Sequence, residues 1–306
     1  MTHQAKSPHT VTLFGEVLAD VFPDRSVLGG APFNVARHLQ AFGLHPVMVS
    51  RTGNDALRDE LLREMDRLGM DTVGMQCDPT HPTGQVRVHM ENGSHRFEIL
   101  PEQAYDHIHA DVAHILARSL QPSMAYFGTL AQRNLNSRLA LRGFLAACDC
   151  PRFLDINLRE PWYDRHVIRH SLQRADIVKM NHEELETVAR ICAIDSPDPE
   201  HKARSLIERY GLELMIITCG PDGAWLITRE QERLDTGPVK LQQPIVDTVG
   251  AGDAFAALCI IGLLHRWELP LILERANRFA AAMCTVQGGA PQDPGFHHSF
   301  RQEWGL

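Results

Sequence analysis

The run Asp247-Thr248-Val249-Gly250-Ala251-Gly252-Asp253 opens directly into the apolar segment Ala254 to Leu264. Two glycines and an alanine leave successive backbone N–H groups uncovered at a helix N-terminus, where unpaired donors and the helix dipole favour an anion. A carboxylate, Asp253, stands inside that cradle. One use for it is to take the proton from a hydroxyl that attacks a phosphoryl group, while the amides of Gly250, Ala251 and Gly252 hold the developing charge. The other reading is an acidic helix cap following a glycine turn, and the fragment alone is compatible with both.

Three further clusters join it. Gly29-Gly30-Ala31-Pro32-Phe33-Asn34 starts a helix; its paired glycines admit a ligand close to the backbone, and Asn34 offers an amide to a hydroxyl-rich one. Upstream, Gly15-Glu16-Val17-Leu18-Ala19-Asp20 puts a carboxylate just after the first strand, so Asp20 and Asn34 can face one pocket beyond the strand ends. Asn181-His182-Glu183-Glu184 follows the strand-like ADIVKM. It forms a complete capping box, or alternatively an amide and a carboxylate that hold Mg²⁺ through water beside a phosphate. Thr218-Cys219-Gly220-Pro221-Asp222-Gly223 is a strand exit whose glycines either admit a nucleotide or turn the chain. His107-x-His109 and His297-His298 lack a third ligand, so they read as exposed or locally paired side chains.

The elements that must position these residues alternate. VTLFG, HPVMVSRTG, SMAYFG, PRFLDINLR, ADIVKMN and LELMIITCG read as strands. Between them lie the helical PFNVARHLQAFG, DALRDELLREMDRLG, RNLNSRLALRGFLAAC, Trp162 to Leu172, HEELETVAR and KARSLIERYG. Strands separated by helices imply a mostly parallel sheet covered on both faces. TGQVRVHMENGSHRFEIL breaks the rhythm, with Asn92-Gly93 as a hairpin turn, and GAWLITREQERLDTG reads as a second hairpin. The expectation is one α/β domain over 1–306 with a small β piece made of about 16–27 and 72–100. Ala254 to Leu264, apolar almost all round, reads as an interior helix and is too short to span a membrane, which needs about twenty residues. A second helix is expected within LPLILERANRFAAAMCTVQGG.

Composition narrows the function classes. The 306 residues carry 30 Lys+Arg and 38 Asp+Glu, a formal charge of -8, with 44% hydrophobic residues. That is a globular composition with no basic block to serve as a footprint for nucleic acid. The seven Cys lack the C-x-x-C spacing of zinc or redox sites. The start, MTHQAKSPHT, has no apolar leader, and a cytoplasmic protein is expected.

DTVGAGD, GGAPFNVA, NHEE and TCGPDGAW, occurring in this order, resemble the signature elements of the ribokinase-like carbohydrate kinase family. GEVLADVFPD, FEILPEQAYDHI, FGTLA and DINLR are similar to bacterial fructokinase sequence. No Walker sequence G-x-x-x-x-G-K-[ST] occurs. The resemblance implies a three-layer α/β/α domain whose β insert is a lid over the sugar, with a homodimer formed through that lid. It implies an ATP-dependent sugar kinase using Mg²⁺, with a monovalent cation such as K⁺ as a further requirement, and D-fructose as the substrate.

By matching motif, the resemblance makes Asp253 the base and Gly250, Ala251 and Gly252 the anion hole. Asp20, Gly30 and Asn34 become sugar binders, and Asn181 and Glu184 the pair that orders Mg²⁺ and phosphate, Glu184 through water. Thr218, Gly220 and Gly223 become nucleotide contacts, with Asn277 beside the adenine. Arg96, Phe97, Phe127, Gly128, Asn157 and Arg159 are the further pocket or phosphate-side candidates. Bulky Phe33 either narrows the sugar pocket or packs the helix. A 2-keto-3-deoxygluconate kinase would need Arg96 or Arg159 near the acid, a nucleoside kinase would need aromatic stacking, and a sugar- or nucleotide-sensing protein would keep the fold without turnover.

Overall fold

The computed structural model describes residues 9–91, 94–241, 243–291 and 293–306. In chain order its strands are β1 (Thr10–Phe14), β2 (Leu18–Val21), β3 (Ser26–Gly29), β4 (His45–Gly53), β5 (Met75–Asp78), β6 (Gly84–Glu91), β7 (Ser94–Ile99), β8 (Met124–Phe127), β9 (Arg152–Asp155), β10 (Ile177–Asn181), β11 (Leu214–Thr218), β12 (Ala224–Thr228) and β13 (Arg233–Thr236). Its helices are α1 (Ala31–Ala41), α2 (Ala56–Arg67), α3 (Ala110–Leu120), α4 (Leu135–Ala147), α5 (Arg165–Leu172), α6 (His182–Ile191), α7 (Pro199–Tyr210), α8 (Ala251–Leu264), α9 (Leu269–Met283) and α10 (Pro294–Trp304).

A nine-stranded sheet runs in the order β13-β12-β11-β10-β9-β8-β1-β4-β5. It is parallel from β11 to β5, and β12 and β13 close the other edge as an antiparallel hairpin. Parallel strands buried on both faces alternate their side chains between two cores. Leu13, Met48, Tyr126, Phe153 and Ile216 face one core, which α1, α8 and α9 complete. Phe14, Val49, Phe127, Leu154 and Ile217 face the other, under α4, α5, α6 and α7. Helix α8 is buried from Ala254 to Gly262, as its uninterrupted apolar sequence requires. No described helix is long and apolar enough to cross a membrane.

The accessory sheet is four-stranded, in the order β3-β2-β6-β7, with β2 and β6 parallel and both outer pairs antiparallel. Its extent differs from the expected 16–27 and 72–100. Residues Ser50 to Gly53 of β4 recruit Met75 to Asp78 as the edge strand of the large sheet, so β5 is not part of the small one. The small sheet is instead built from 18–29 and 84–99. The expected Asn92-Gly93 turn lies outside the described residues. Helices α3 and α10 have no counterpart in the sequence expectation.

One polar interaction sits inside this framework. Lys179 of β10 donates to both carboxylate oxygens of Asp155 on β9 at 2.9 Å, and both side chains are buried. The Tyr126 hydroxyl approaches the same carboxylate from β8 at 3.4 Å. Burying two charges is costly, and removing one partner leaves the other uncompensated. Lys179→Met is therefore expected to destabilise the fold by about 3–5 kcal/mol, read as a lower urea midpoint at unchanged m value.

Candidate active site

The C-terminal ends of the parallel strands form one edge of the sheet, and the N-terminus of α8 points at it. Ligands of open α/β sheets bind at such edges because the strand exits and the helix N-termini meet there. A cavity of about 600 Å³ opens at this place, bounded by the β1 exit, the small sheet, the 157–160 loop and the start of α8. Glu16, Asp20, Gly30, Asn34, Phe97, Asn157, Arg159, Gly250, Gly252 and Asp253 all line it.

Asp253 faces the cavity from the first turn of α8, and Asn34 of α1 donates to its Oδ2 at 2.8 Å. Burial raises the Asp253 pKa to about 6; the Asn34 bond, Lys179 and Arg159 pull it down, and Asp155 pushes it up. A carboxylate with that pKa is ionised at neutral pH and more basic than an ordinary Asp, which suits a general base. Burial likewise lifts Asp20 to about 6 and Glu16 to about 7, against the pull of Arg159.

The cradle is tightly constructed. Gly250 caps α8 with φ +80°, and Ala254 N bonds back to Gly250 O at 2.8 Å. The amides of Gly252 and Asp253 belong to the first turn, whose N–H groups have no acceptor within the helix. A Cβ on Gly250 would lie 2.5 Å from the Cα of Gly289, and a Cβ on Gly289 would run into the Asn34 side chain. Asp247 anchors the approach, accepting from Val249 N at 3.0 Å and Gly288 N at 3.1 Å. Two backbones and the Asn34 side chain thus meet where only the absence of side chains on Gly250 and Gly289 allows it, beside the bond from Asn34 to Asp253.

On the next strands, Asn181 and Glu184 form the capping box in full. Asn181 Oδ1 accepts from Glu184 N at 2.7 Å, and Glu184 Oε2 accepts from Asn181 N at 2.8 Å. The remaining oxygen, Oε1, accepts from Leu158 N at 2.7 Å, which fixes the loop carrying Asn157 and Arg159. Burial raises the Glu184 pKa, with its backbone bonds and Lys179 acting against that shift. Both oxygens are thus occupied by amides, and each keeps lone-pair capacity for a water, which fits a water-mediated Mg²⁺ contact better than direct ligation.

Thr218 lies beside Asn181 in the β10–β11 register, and Gly220 opens an exposed turn. Gly223 packs where a Cβ would strike the Thr236 carbonyl, and Asn277 donates to Gly237 O at 2.9 Å. These four line the same sheet edge farther towards β12, outside the cavity.

Two sequence assignments are corrected, those of Phe127 and Arg96, and the alternative left open for Phe33 is decided. Phe127 is fully buried in the core beneath α4 and α5, because strand alternation turns it away from the face that Tyr126 occupies. Arg96 does not line the cavity; Phe97 and Ile99 do, so Arg96 projects from the other face of β7. Phe33 is fully buried in the α1–α8 core and packs the helix rather than narrowing the pocket. Gly128 supplies its carbonyl to the Gln132 side chain at 2.8 Å. Sequence reasoning also missed Glu16, Asp155, Lys179 and Gly289. A lone Lys inside an apolar strand was the available signal for the buried pair, since a buried charge demands a partner.

The class is defined by a mixed sheet between two helical layers, a buried carboxylate at a glycine-opened helix N-terminus and a small second sheet beside the same cavity. The chain belongs to the pfkB family of carbohydrate kinases, which it matches over residues 6–294. It is 29% identical to an uncharacterised sugar kinase of Pyrococcus horikoshii, across 87% of this chain and 83% of that protein. That protein's structure in complex with ATP superposes with a TM-score of 0.73 over 92% and 93% of the two chains. The chain is 26% identical to an Escherichia coli fructokinase over 91% of its own length and 94% of the relative's. A Vibrio cholerae fructokinase, solved with fructose, ADP and calcium, shares its fold at a TM-score of 0.80 and 23% identity over 96% and 99% of the chains.

Gly289→Ala tests this contact. The new methyl has to displace the Asn34 amide from Asp253, at an overpacking cost of about 1–3 kcal/mol. Sugar-dependent turnover is expected to fall far more than the thermal midpoint does, and turnover equal to that of the unmodified protein would show that the contact does not position Asn34.

Proposed function

We propose that this chain is an ATP-dependent sugar kinase acting on a primary hydroxyl, with D-fructose as the acceptor and fructose 6-phosphate as the product. The observation that carries the reading is the 2.8 Å bond from Asn34 to Asp253 inside a cavity that Asp20 and Gly30 also line. It joins a base, an amide that fits sugar hydroxyls and an anion-binding helix terminus in one space.

In this reading Asp20 and the Asn34 amide orient the sugar through its hydroxyls. Asp253 Oδ accepts the proton of the attacking hydroxyl, and the resulting alkoxide displaces ADP from the γ-phosphorus in line. The first-turn amides of α8, from Gly250 to Asp253, hold the equatorial oxygens of the transferring group. Bound Mg²⁺ supplies neutralisation of the phosphate charge, and Asn181 and Glu184 are the residues that would hold it through water. Arg159 adds the positive charge of the cavity wall. Val86, Phe97 and Ile99 of the small sheet roof the sugar, and shielding it from water protects the phosphoryl donor from hydrolysis. Thr218, Gly220, Gly223 and Asn277 are assigned to the nucleotide side.

Two features support a neutral sugar over the alternatives. Glu16, Asp20, Glu160 and Asp253 give the cavity an acidic wall against Arg159, the one cation among the described lining residues, which disfavours a 2-keto-3-deoxygluconate carboxylate. Phe97 is the one aromatic among the described lining residues and is half exposed, a poor stacking platform for a nucleoside base. The similarity to fructokinases favours fructose within that class.

A coupled ADP-release screen over fructose, glucose, mannose, ribose, 2-keto-3-deoxygluconate, adenosine and inosine is expected to give fructose the highest kcat/KM; a decisive preference for a nucleoside would overturn the substrate class, and ligand binding without ADP release would favour a sensor. Asp253→Asn should lower kcat by about 10²–10⁴-fold, the usual span for a general base, while leaving sugar affinity within a few-fold. Because the base works only when ionised, kcat/KM should fall as the pH drops through about 6. Asn34→Ala removes a bond that lowers the Asp253 pKa, so the acid limb of that profile should move to higher pH.

A further inference from the structure

We propose that His81, Glu102 and His107 form a divalent transition-metal site, of the kind that takes Zn²⁺, which clips together the two chain passages joining the small sheet to the large one. His81 lies on the passage from β5 into β6, and Glu102 and His107 lie on the return after β7. One ligand atom from each lies within 4.8 Å of the other two. His107 Nε2 is 3.7 Å from Glu102 Oε2, close to the roughly 3.3 Å edge of a tetrahedron with Zn–N and Zn–O bonds of about 2.0 Å. The two imidazoles face each other with centroids 3.7 Å apart, and a metal would turn them from this stack into a common coordination shell.

The surrounding groups prepare both rings. His107 Nε2 is buried and has no hydrogen-bond partner, an orphaned ring nitrogen beside a carboxylate and a second imidazole. The Asn136 amide faces His107 Nδ1 at 2.9 Å and fixes the ring; its oxygen, turned inwards, accepts the Nδ1 proton when Nε2 ligates. Asp78 Oδ2 faces His81 Nδ1 at 3.2 Å. Asp78 is almost fully buried, and its Oδ1 accepts from Thr80 N at 2.8 Å and His81 N at 2.9 Å, which fixes the carboxylate beside the ring. Arg51 Nε pairs with Asp78 Oδ2 at 3.0 Å, and the same guanidinium donates to the His107 carbonyl. With Asp78 Oδ2 accepting the Nδ1 proton, His81 Nε2 keeps a free lone pair, the carboxylate–histidine–metal arrangement that orients ligating imidazoles.

Two imidazoles and one carboxylate select a borderline ion such as Zn²⁺, with water in the fourth position, and offer little to Mg²⁺, which prefers all-oxygen octahedra. The site is therefore independent of any nucleotide-bound Mg²⁺ and of the kinase reading. It also changes the sense of the His107-x-His109 pair: His107 is a ligand, and its partners come from His81 and Glu102 rather than from His109.

The test is a Zn²⁺ titration by calorimetry of tag-free, chelator-stripped, full-length protein in millimolar Mg²⁺. One tight equivalent is expected, and Co²⁺ in its place should show the intense visible absorption of a four-coordinate ion. His107→Ala and Glu102→Gln should each weaken binding at least about 10-fold, and His109→Ala should leave it unchanged. Glu102 is exposed, so Glu102→Gln keeps the test valid should His107→Ala fail to fold. The proposal is overturned if no stoichiometric site is found, or if the unmodified protein and Glu102→Gln bind Zn²⁺ equally.

Discussion

The buried pair of Lys179 and Asp155 determines what the rest of the cavity can do. Acidic groups converge on the C-terminal edge of the sheet: Glu16 from the end of β1, Asp20 from the small sheet, Glu184 from α6 and Asp253 from α8. Burial works against the charge on Lys179, and Asp155, Glu184 and Asp253 together more than offset it, so its pKa lies above the ordinary lysine value. The same pair acts on Asp253 with both signs, Asp155 raising its pKa and Lys179 lowering it. Burial and the Asn34 bond act first on the Asp253 carboxylate, and this pair adjusts it further from beneath the cavity floor.

Glu184 shows how one side chain serves two readings. The capping-box account of Asn181 and Glu184 is realised bond for bond, yet the bond from Leu158 N to Glu184 makes the cap the anchor of the loop bearing Asn157 and Arg159. A helix start on β10 thereby fixes the wall of a cavity that begins at β1. Asn277 plays a comparable part at the other end, where it fastens the chain at Gly237 ahead of the segment leading to α8.

What could be read from sequence followed from how local the signal was. The glycine-opened start of α8, the Gly30 entry to α1 and the capping box are contiguous motifs whose backbone demands are written in neighbouring residues. Phe127 is misassigned from sequence because adjacent aromatic residues, here Tyr126 and Phe127, in a strand that is apolar on both faces carry no sign of which core each enters. The same parity separates Arg96 from Phe97. Residues 72–83 read with the insert because a four-residue edge strand has too little length to announce its partner, and its pairing to β4 is purely tertiary. Helix α3 lacks a side-chain cap to mark its start, and α10, although Asp293 caps it and Pro294 opens it, carries Gly295 and two His, which are weak helix formers. The Lys179–Asp155 pair and the Gly289 contact join strands and loops distant in sequence, where only the folded chain supplies the proximity.

The Asn34–Asp253 bond spans 219 residues, and α1 packs directly on α8. During synthesis, the first third of the chain reaches its final packing only after α8 has emerged, because its core face is otherwise uncovered. Non-local pairings of this kind form late, after the entropy of closing a long loop has been met. The cavity's polar constellation is consequently among the last features to assemble, and its appearance marks the completion of folding by nearly the whole chain.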